Sequence, residues 1–511
     1  MILDNKAKKV IIIGAGISGL SAGIFAQKNG FISEIYEKNP VAGGLCRCWN
    51  RKGHNIDGCI HWLTGTKQGS SLRALWDELG AFDDDQLIRD DNFGTIEVCG
   101  KKITFWTDLE KFEKELLSIS PEDKKMISKT IKYIKKFQNM HLPVEVPLAL
   151  MKPMDFLHVA HDMIFCLFSY LKCNKIMMSK YASKFKSLAI REAFKRMIPN
   201  DTNLYSALYA YGTVASGNGG VIKNGSDALI KNLVTSYYEN CGFIHYNSDV
   251  QKILIKDNKA IGIELKNGEK VYADIVISAN DPFNTVSLLN NEAKFNFFSK
   301  HVKDEKNYPI PSCILVSLAI DKNALDSLNL TSTFQFSTKP FKVGSKYLNT
   351  IRIRNYSYDP YFIKNGKSTV QVMIPQSELD YEYWNSFKNK EKYNEAKLEV
   401  ANSIVTEICA KFPILSGKID ILDVCTHKTF ERYVRSYHGS FQPFILTARG
   451  KMLNHNGKIG KIKNLYLASQ WGITPGGIPI AMLSGKFAIQ KILHSEKLNF
   501  KITKRLNYKF Y

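Results

Sequence analysis

The sequence contains no run of 18 or more uncharged apolar residues, which excludes an ordinary membrane-spanning helix. No signal-peptide pattern precedes "KAKKVIIIGAG", where the apolar stretch is too short for an h-region. A reducing, cytoplasmic setting with ten free thiols is therefore the expectation. G-x-S-x-G is missing, so the nucleophile elbow of a serine hydrolase is excluded. Acid is scarce relative to base, with 48 Asp and Glu against 70 Lys and Arg and a net charge of +22. The basic residues form no dense block, so the excess predicts a Lys-rich surface rather than a nucleic-acid site. The one biased stretch is "KLNFKITKRLNYKFY", which has no acid after Glu496 and fits an anionic membrane surface.

A length of 511 residues with 44% hydrophobic content predicts more than one domain around a large core. The first pattern that carries chemistry is "VIIIGAGISGL". A β-branched run stops at Gly14, and Gly16 and Gly19 complete G-x-G-x-x-G. "LSAGIFAQKNG" continues with helical spacing up to Gly30, and "FISEIYEK" reads as a second strand. This is a βαβ unit. Gly14 allows the tight turn, Gly16 lets backbone approach a pyrophosphate, and Gly19 lets the helix pack on the strand. The helix N-terminus, with Ile17 and Ser18, offers N–H groups to phosphate. Glu37 lies about 20 residues beyond the glycines, where a carboxylate accepts ribose hydroxyls. Dinucleotide binding is the reading.

The next stretch, "NPVAGGLCRCW", adds Gly43, Gly44 and Arg47. It resembles the second glycine pair and arginine of the flavin-dependent amine oxidase and phytoene desaturase superfamily. That resemblance implies FAD, with Gly43, Gly44 and Arg47 at its pyrophosphate and Lys38 and Leu45 also among the cofactor-binding residues. "GHNIDGCIHWLTG" is similar to an Asp-x-Gly-x-His stretch in the branch of carotenoid isomerases and retinol saturases, through Asp57, Gly58 and His61. Here the glycine directly follows the aspartate, so the register is off by one. Residues 219–253 resemble the family segment whose strand, around Val250, packs on the adenine. "NLYLASQWGITPGGIPIAMLSGKFAIQKI" resembles the closing flavin motif, in which a strand ends near Gln470, Gly476, Gly477 and Ile478 pass the flavin ring, and a helix begins.

The fold class implied is α/β: an FAD-binding Rossmann-like (doubly wound βαβ) domain, discontinuous in sequence, with an inserted α+β substrate domain. The cofactor blocks fall in 1–75, 216–284 and 426–495, the substrate domain in 76–215 and 285–425, and a basic tail in 496–511. The first insertion reads as mainly helical, from "DLEKFEKELLSI" and "EDKKMISKTIKYIKKF". The second reads as strand-rich, from "SCILVSLAI", "NTIRIRN" and "STVQVMIP".

Residues 155–173 stand apart. On a helix Asp155, His158, His161, Asp162 and Ser169 fall within about 120°, and the rest of the circumference is apolar. Such a helix dips into a membrane interface or covers an apolar tunnel; the alternative is burial inside the substrate domain.

Cys46, Cys48, His54, Cys59 and His61 crowd into a short span, but their spacing does not match two C-x-x-C knuckles, so no metal is expected. His61 either sits near the flavin, orienting substrate or donating a proton, or merely bonds a backbone carbonyl. His427, Tyr433, Tyr437 and His438 are unranked pocket candidates.

The resemblance implies an FAD-dependent oxidoreductase working on carbon–carbon bonds of a hydrophobic polyene or lipid by desaturation, saturation or cis–trans isomerisation. A flavin amine oxidase and a non-catalytic flavin- or lipid-binding protein are the alternatives. With one G-x-G-x-x-G only, a nicotinamide or quinone electron partner would bind transiently beside the flavin.

Overall fold

The computed structural model describes residues 7–138, 140, 143–198, 201–290 and 296–501. Its centre is a five-stranded parallel sheet. The strand order is Phe243–His245, Ile32–Tyr36, Lys9–Ile13, Ile275–Ser278 and Leu465–Leu467. Three distant stretches of chain therefore meet in one sheet. Val10, Ile11 and Ile12 are completely buried, because a central parallel strand is covered on both faces.

Helices Ile17–Lys28 and Ile478–Ser495 cover one face. They cross in direct contact, since a Cβ on Gly485 would sit 2.5 Å from the Ser18 carbonyl oxygen. Ser21 Oγ donates to the Met482 carbonyl at the same crossing. The second face is closed by the antiparallel strands Val250–Lys256, Lys259–Leu265 and Lys270–Tyr272 rather than by helices.

The larger second sheet draws on both insertions. Its order is Ile419–Cys425, Ser312–Asp321, Lys367–Gln376, Lys346–Asn355, Thr333–Val343, Asn92–Val98 and Lys101–Trp106, with Ile363–Lys364 beside Lys367–Gln376. One face packs on helix Lys390–Lys411 through Val316, Ile353, Val372 and Ile404. The opposite face packs on Ile56 and Trp49 through Ala319 and Leu422.

Helices Leu109–Ile119, Lys124–Gln138, Leu188–Lys195 and Leu204–Ala215 form the core of the first insertion. The expectation of a mainly helical segment holds for them but misses the hairpin of Asn92–Val98 and Lys101–Trp106. That hairpin turns through Cys99 and Gly100, both at positive φ, and joins the large sheet by a parallel pairing with Thr333–Val343.

Helix Pro153–Asn174 corrects the alternative of a buried helix. Its inward side carries Cys166, Ser169 and Cys173, all nearly inaccessible, while Phe165 and Phe168 are 83% and 81% exposed. Met154, Leu157, Ile164 and Leu171 are exposed as well. The expected polar arc does not face one way: Ser169 points in, and His158 and His161 are exposed. The Asp162 side chain lies outside the described residues. No helix among the described residues is long and apolar enough to cross a membrane. Of the basic tail, residues 502–511 lie outside the described residues. Its start is anchored, with Phe500 packed against Phe25 and the Lys501 N–H donating to Asn29.

Candidate functional site

The glycine turn works as its spacing predicts. Gly14 adopts φ +99°, its N–H donates to the Tyr36 carbonyl, and a Cβ there would meet the Asn280 side chain at 2.9 Å. A Cβ on Gly19 would lie 2.0 Å from the Gly14 carbonyl oxygen, so only glycine lets helix Ile17–Lys28 seat on the turn. Gly16 differs. A Cβ there would find no protein atom nearer than 4.0 Å and would project into open space. The Gly43 N–H donates to the Ala15 carbonyl, which lays the Gly43–Gly44 turn beside Gly16.

That open space belongs to a cavity of about 750 Å³. Gly14, Gly16, Ile17, Ser18, Glu37, Lys38, Gly43, Gly44, Leu45, Val250, Gln470, Gly477 and Ile478 all line it. Gly19 does not line it and acts through packing. Arg47 is not in the wall either, and its guanidinium makes no hydrogen bond or ion pair among the described residues; its carbonyl accepts from the Gly58 N–H. The strand expected to end near Gln470 ends at Leu467, and Gln470 opens a short 3-10 turn capped by the Ser469 side chain. Gln470 is pinned between the Phe441 carbonyl and the Gly477 N–H, which holds the entry to helix Ile478–Ser495. The N-termini of helices Ile17–Lys28 and Ile478–Ser495 thus both border the cavity. Their free N–H groups and positive dipole ends fit anionic phosphate or an electron-rich ring edge. The residues present fit a dinucleotide flavin: a glycine cradle whose missing side chains leave room, two helix N-termini and a buried carboxylate.

Glu37 is that carboxylate. Its Oε2 accepts from the Ala15 N–H at 2.9 Å, and its Oε1 accepts from the Asn39 N–H and the Asn39 side-chain amide. An ionised carboxylate has about four lone-pair sites, so roughly one remains for a ribose hydroxyl. Glu37 therefore holds the turn as well as facing the cavity. Glu37→Ala is expected to weaken FAD binding at least tenfold, since a charged hydrogen bond contributes about 1.5–3 kcal/mol. Equal flavin affinity in variant and wild type, measured by fluorescence titration, would remove Glu37 from the ribose contact.

Asp57 and Gly58 are structural. Asp57 is buried and accepts from the N–H groups of Cys59, Ile60 and Ser226 and from the Ser226 hydroxyl, tying residues 57–60 to helix Gly225–Glu239. A Cβ on Gly58 would strike the Trp49 ring at 2.4 Å. His61, by contrast, lies where the large cavity meets a smaller one. It makes no backbone hydrogen bond among the described residues. Burial, then the charges of Arg354 and Arg352, lower its pKa to about 3. A neutral imidazole at pH 7 orients a substrate but is a poor proton donor. The unfolded chain binds a proton near pH 6.5 that the folded chain refuses until about pH 3. Stability associated with His61 is present above pH 6.5 and is lost as pH falls, by about 1.4 kcal/mol per pH unit. His61→Gln is expected to flatten the fall in stability between pH 6.5 and 4 by that amount. Urea melts at stepped pH measure it, and an unchanged slope would contradict the assignment.

Of the later candidates, Tyr433 lines the cavity, while His427, Tyr437 and His438 do not. His427 Nδ1 faces the His438 carbonyl, and His438 pairs with Glu378. Sequence reasoning missed Asp281, which lines the cavity and caps helix Pro282–Ser287 through the Phe283 N–H. Burial pushes its pKa up to about 6. It also missed the ion pair of Arg435 with Asp249 at the cavity rim.

Residues 12–79 match the model of an NAD(P)-binding Rossmann-like domain. Over nearly the whole chain the sequence is 24% identical to the lycopene-forming phytoene desaturase of Paracoccus sp. (strain N81106 / MBIC 01143), covering 95% of this chain and 97% of that one. The chain is thus similar along its length to a phytoene desaturase. It is also 22% identical to prolycopene isomerase 1 of an Oncidium hybrid cultivar, over 94% of this chain and 83% of the isomerase. All-trans-retinol 13,14-reductase of Macaca fascicularis is 22% identical over 84% of this chain and 76% of the reductase. Among solved structures, putrescine oxidase in complex with putrescine overlays with a TM-score of 0.58 at 12% identity, covering 95% of this chain and 99% of the oxidase. At that identity the overlay shows a shared fold alone. Relatives named desaturase, isomerase and reductase mark this chain as an oxidoreductase.

Proposed function

We propose that this chain is an FAD-dependent oxidoreductase that desaturates, saturates or isomerises a carbon–carbon bond of a long hydrophobic polyene or lipid. The observation that carries the reading is a single cavity shared by the glycine cradle and a largely apolar compartment lined by Leu148, Met151, Ile445, Leu446 and Met452. Gly14, Gly16, Ile17, Ser18, Gly43 and Gly44 would hold the pyrophosphate, Glu37 the ribose, Val250 the adenine end, and Gln470, Gly477 and Ile478 the ring end. The chemistry FAD supplies there is two-electron transfer to or from a C–H bond. The chain's own work is to align the substrate and exclude water. Trp62, Tyr205 and Tyr209 give flat walls for a polyene, and neutral His61 sits where the large cavity meets the smaller one. A nicotinamide or quinone would exchange electrons transiently beside the ring. The division into a cofactor unit (1–75, 216–284, 426–495) and a substrate unit (76–215, 285–425) belongs to this proposal.

Peripheral attachment to a cytoplasmic membrane surface is part of the same reading. A long polyene is nearly insoluble in water, so it enters from a bilayer. Segment 143–151, part of which lines the cavity, leads directly into helix Pro153–Asn174 with its outward phenylalanines. Exposed Lys152, Lys172 and Lys175 at the two ends of that helix suit anionic headgroups.

The test is the flavin. Purified protein is expected to be yellow, with one FAD per chain that heat or acid releases. A colourless protein that takes up no added FAD would overturn the reading.

A further inference from the structure

The smaller cavity, about 80 Å³, opens beside the large one and shares His61, Trp62, Ile198 and Met373 with it. Its wall contains two arginines. Arg352 and Arg354 alternate with Ile351 and Ile353 on strand Lys346–Asn355. Ile351 and Ile353 join the hydrophobic core behind the sheet, so both guanidinium groups emerge on the cavity face, roughly 7 Å apart along the strand. Met373 and Gln371 on the neighbouring strand share that face, with Arg354 in register with Gln371.

Neither arginine forms an ion pair among the described residues. Arg352 is held by neutral acceptors: Gln335 Oε1 at 2.9 Å and the carbonyls of Arg196 and Met197. Arg354 is nearly unsatisfied. Its Nη2 reaches the Tyr358 hydroxyl at 3.4 Å, its Nε is buried without a partner, and its Cζ lies 5.3 Å from the centre of the Tyr356 ring. An arginine carries five N–H donors in a planar fork. The one carboxylate lining this cavity among the described residues is Asp90, which already accepts from the Ser332 hydroxyl. The compartment therefore holds two positive charges against one negative. A buried charge without a partner is strongly unfavourable, so an interior arginine with open donors calls for an anion.

We infer that this compartment binds a carboxylate, and that the substrate is a long-chain acid whose apolar chain fills the large cavity. The inference rests on the proposed function and names its substrate class. One surplus positive charge and a volume of about 80 Å³ suit a single carboxylate. A diphosphate, larger and more highly charged, does not fit that balance. The planar fork of Arg354 matches a carboxylate edge in bidentate geometry. Gripped at that end, the chain runs past His61 and Trp62 into the large cavity, and its length sets which carbon–carbon bond reaches the ring end. Arg352 and Arg354 are positioning residues in this account.

The experiment uses cis-parinaric acid, a fluorescent tetraene acid, and its methyl ester, titrated into the FAD-loaded protein. The ester is the more hydrophobic of the two and wins at any merely apolar site. Wild type is expected to bind the acid at least thirtyfold more tightly than the ester. Arg354→Gln and Arg352→Gln are expected to bring the ratio near unity while ester affinity and the flavin spectrum stay unchanged. Arg354→Lys, which keeps the charge but loses the fork, should retain part of the preference. If wild type binds acid and ester equally, the carboxylate pocket is wrong and the polyene cavity stands. If it binds neither, the cavity reading fails and this inference fails with it. An acid preference that survives in the Arg352→Gln/Arg354→Gln double variant also overturns the inference. The wild-type comparison decides the matter even where a variant does not fold.

Discussion

Gly16→Val is expected to yield a folded protein that holds no flavin, and Gly19→Ala to yield little folded protein at all. The two glycines sit three residues apart in one motif but face different neighbours. A Cβ on Gly16 meets nothing closer than the Gly43 carbonyl oxygen at 4.0 Å, so the side chain fills cofactor space without disturbing the fold. Loss of flavin affinity should exceed a hundredfold, or about 2.8 kcal/mol. A Cβ on Gly19 falls 2.0 Å from the Gly14 carbonyl oxygen and 3.2 Å from the Ala279 methyl. Backbone cannot yield there without lifting helix Ile17–Lys28 off the central sheet, and overpacking of this kind costs about 1–3 kcal/mol or more in a well-packed core. Circular dichroism and flavin absorbance on both variants separate the outcomes. A yellow Gly16→Val protein would contradict the placement of the cofactor at this turn.

The double variant Phe165→Asp/Phe168→Asp is expected to abolish binding to vesicles of anionic lipid. Each ring is more than four-fifths exposed in the isolated chain, and burying such a side chain contributes about 1.5–3 kcal/mol. Two lost rings and two added negative charges together correspond to a drop of more than a hundredfold. Folding should be spared, because the buried contacts of this helix run through Cys166, Ser169 and Cys173. Wild-type binding should weaken as salt rises, since the screening length shortens from about 10 Å at 0.1 M to about 3 Å at 1 M. Vesicle flotation reads both effects. Wild-type protein that stays in the soluble fraction with anionic vesicles at low salt would remove the membrane from the account.

Much of this site is legible in the sequence because its chemistry is local. The glycine turn, Glu37 and the start of the closing helix at Ile478 depend on short-range geometry, and short-range geometry leaves a spacing in the chain. Long-range closure leaves none. "NTIRIRN" reads as an ordinary half-exposed strand, and the default for its arginines is solvent. They turn inward only because His61, Trp62, Asp90, Phe93, Ile198 and Val221 close over that face of the sheet. The hairpin of Asn92–Val98 and Lys101–Trp106 is hidden for a similar reason, since its sheet is completed by strands more than 200 residues later. The span 155–173 carries too much apolar surface for an ordinary surface helix, but its periodicity is equally compatible with core and interface. Only packing distinguishes them, by burying the small residues and leaving the phenylalanines outside. Glu37 shows the converse. Its place is visible in the spacing, but its second task, holding the Ala15 N–H, is not.

The most direct test of the central claim is anaerobic incubation of the FAD-loaded protein with a lipid extract from its own cells, followed by flavin absorbance and mass spectrometry of the recovered lipids. The account predicts that one class of long-chain polyene or lipid changes by two hydrogens with matching bleaching or recovery of the flavin band, or changes double-bond geometry at constant mass. A flavin that responds to small amines and leaves every lipid unchanged would contradict it.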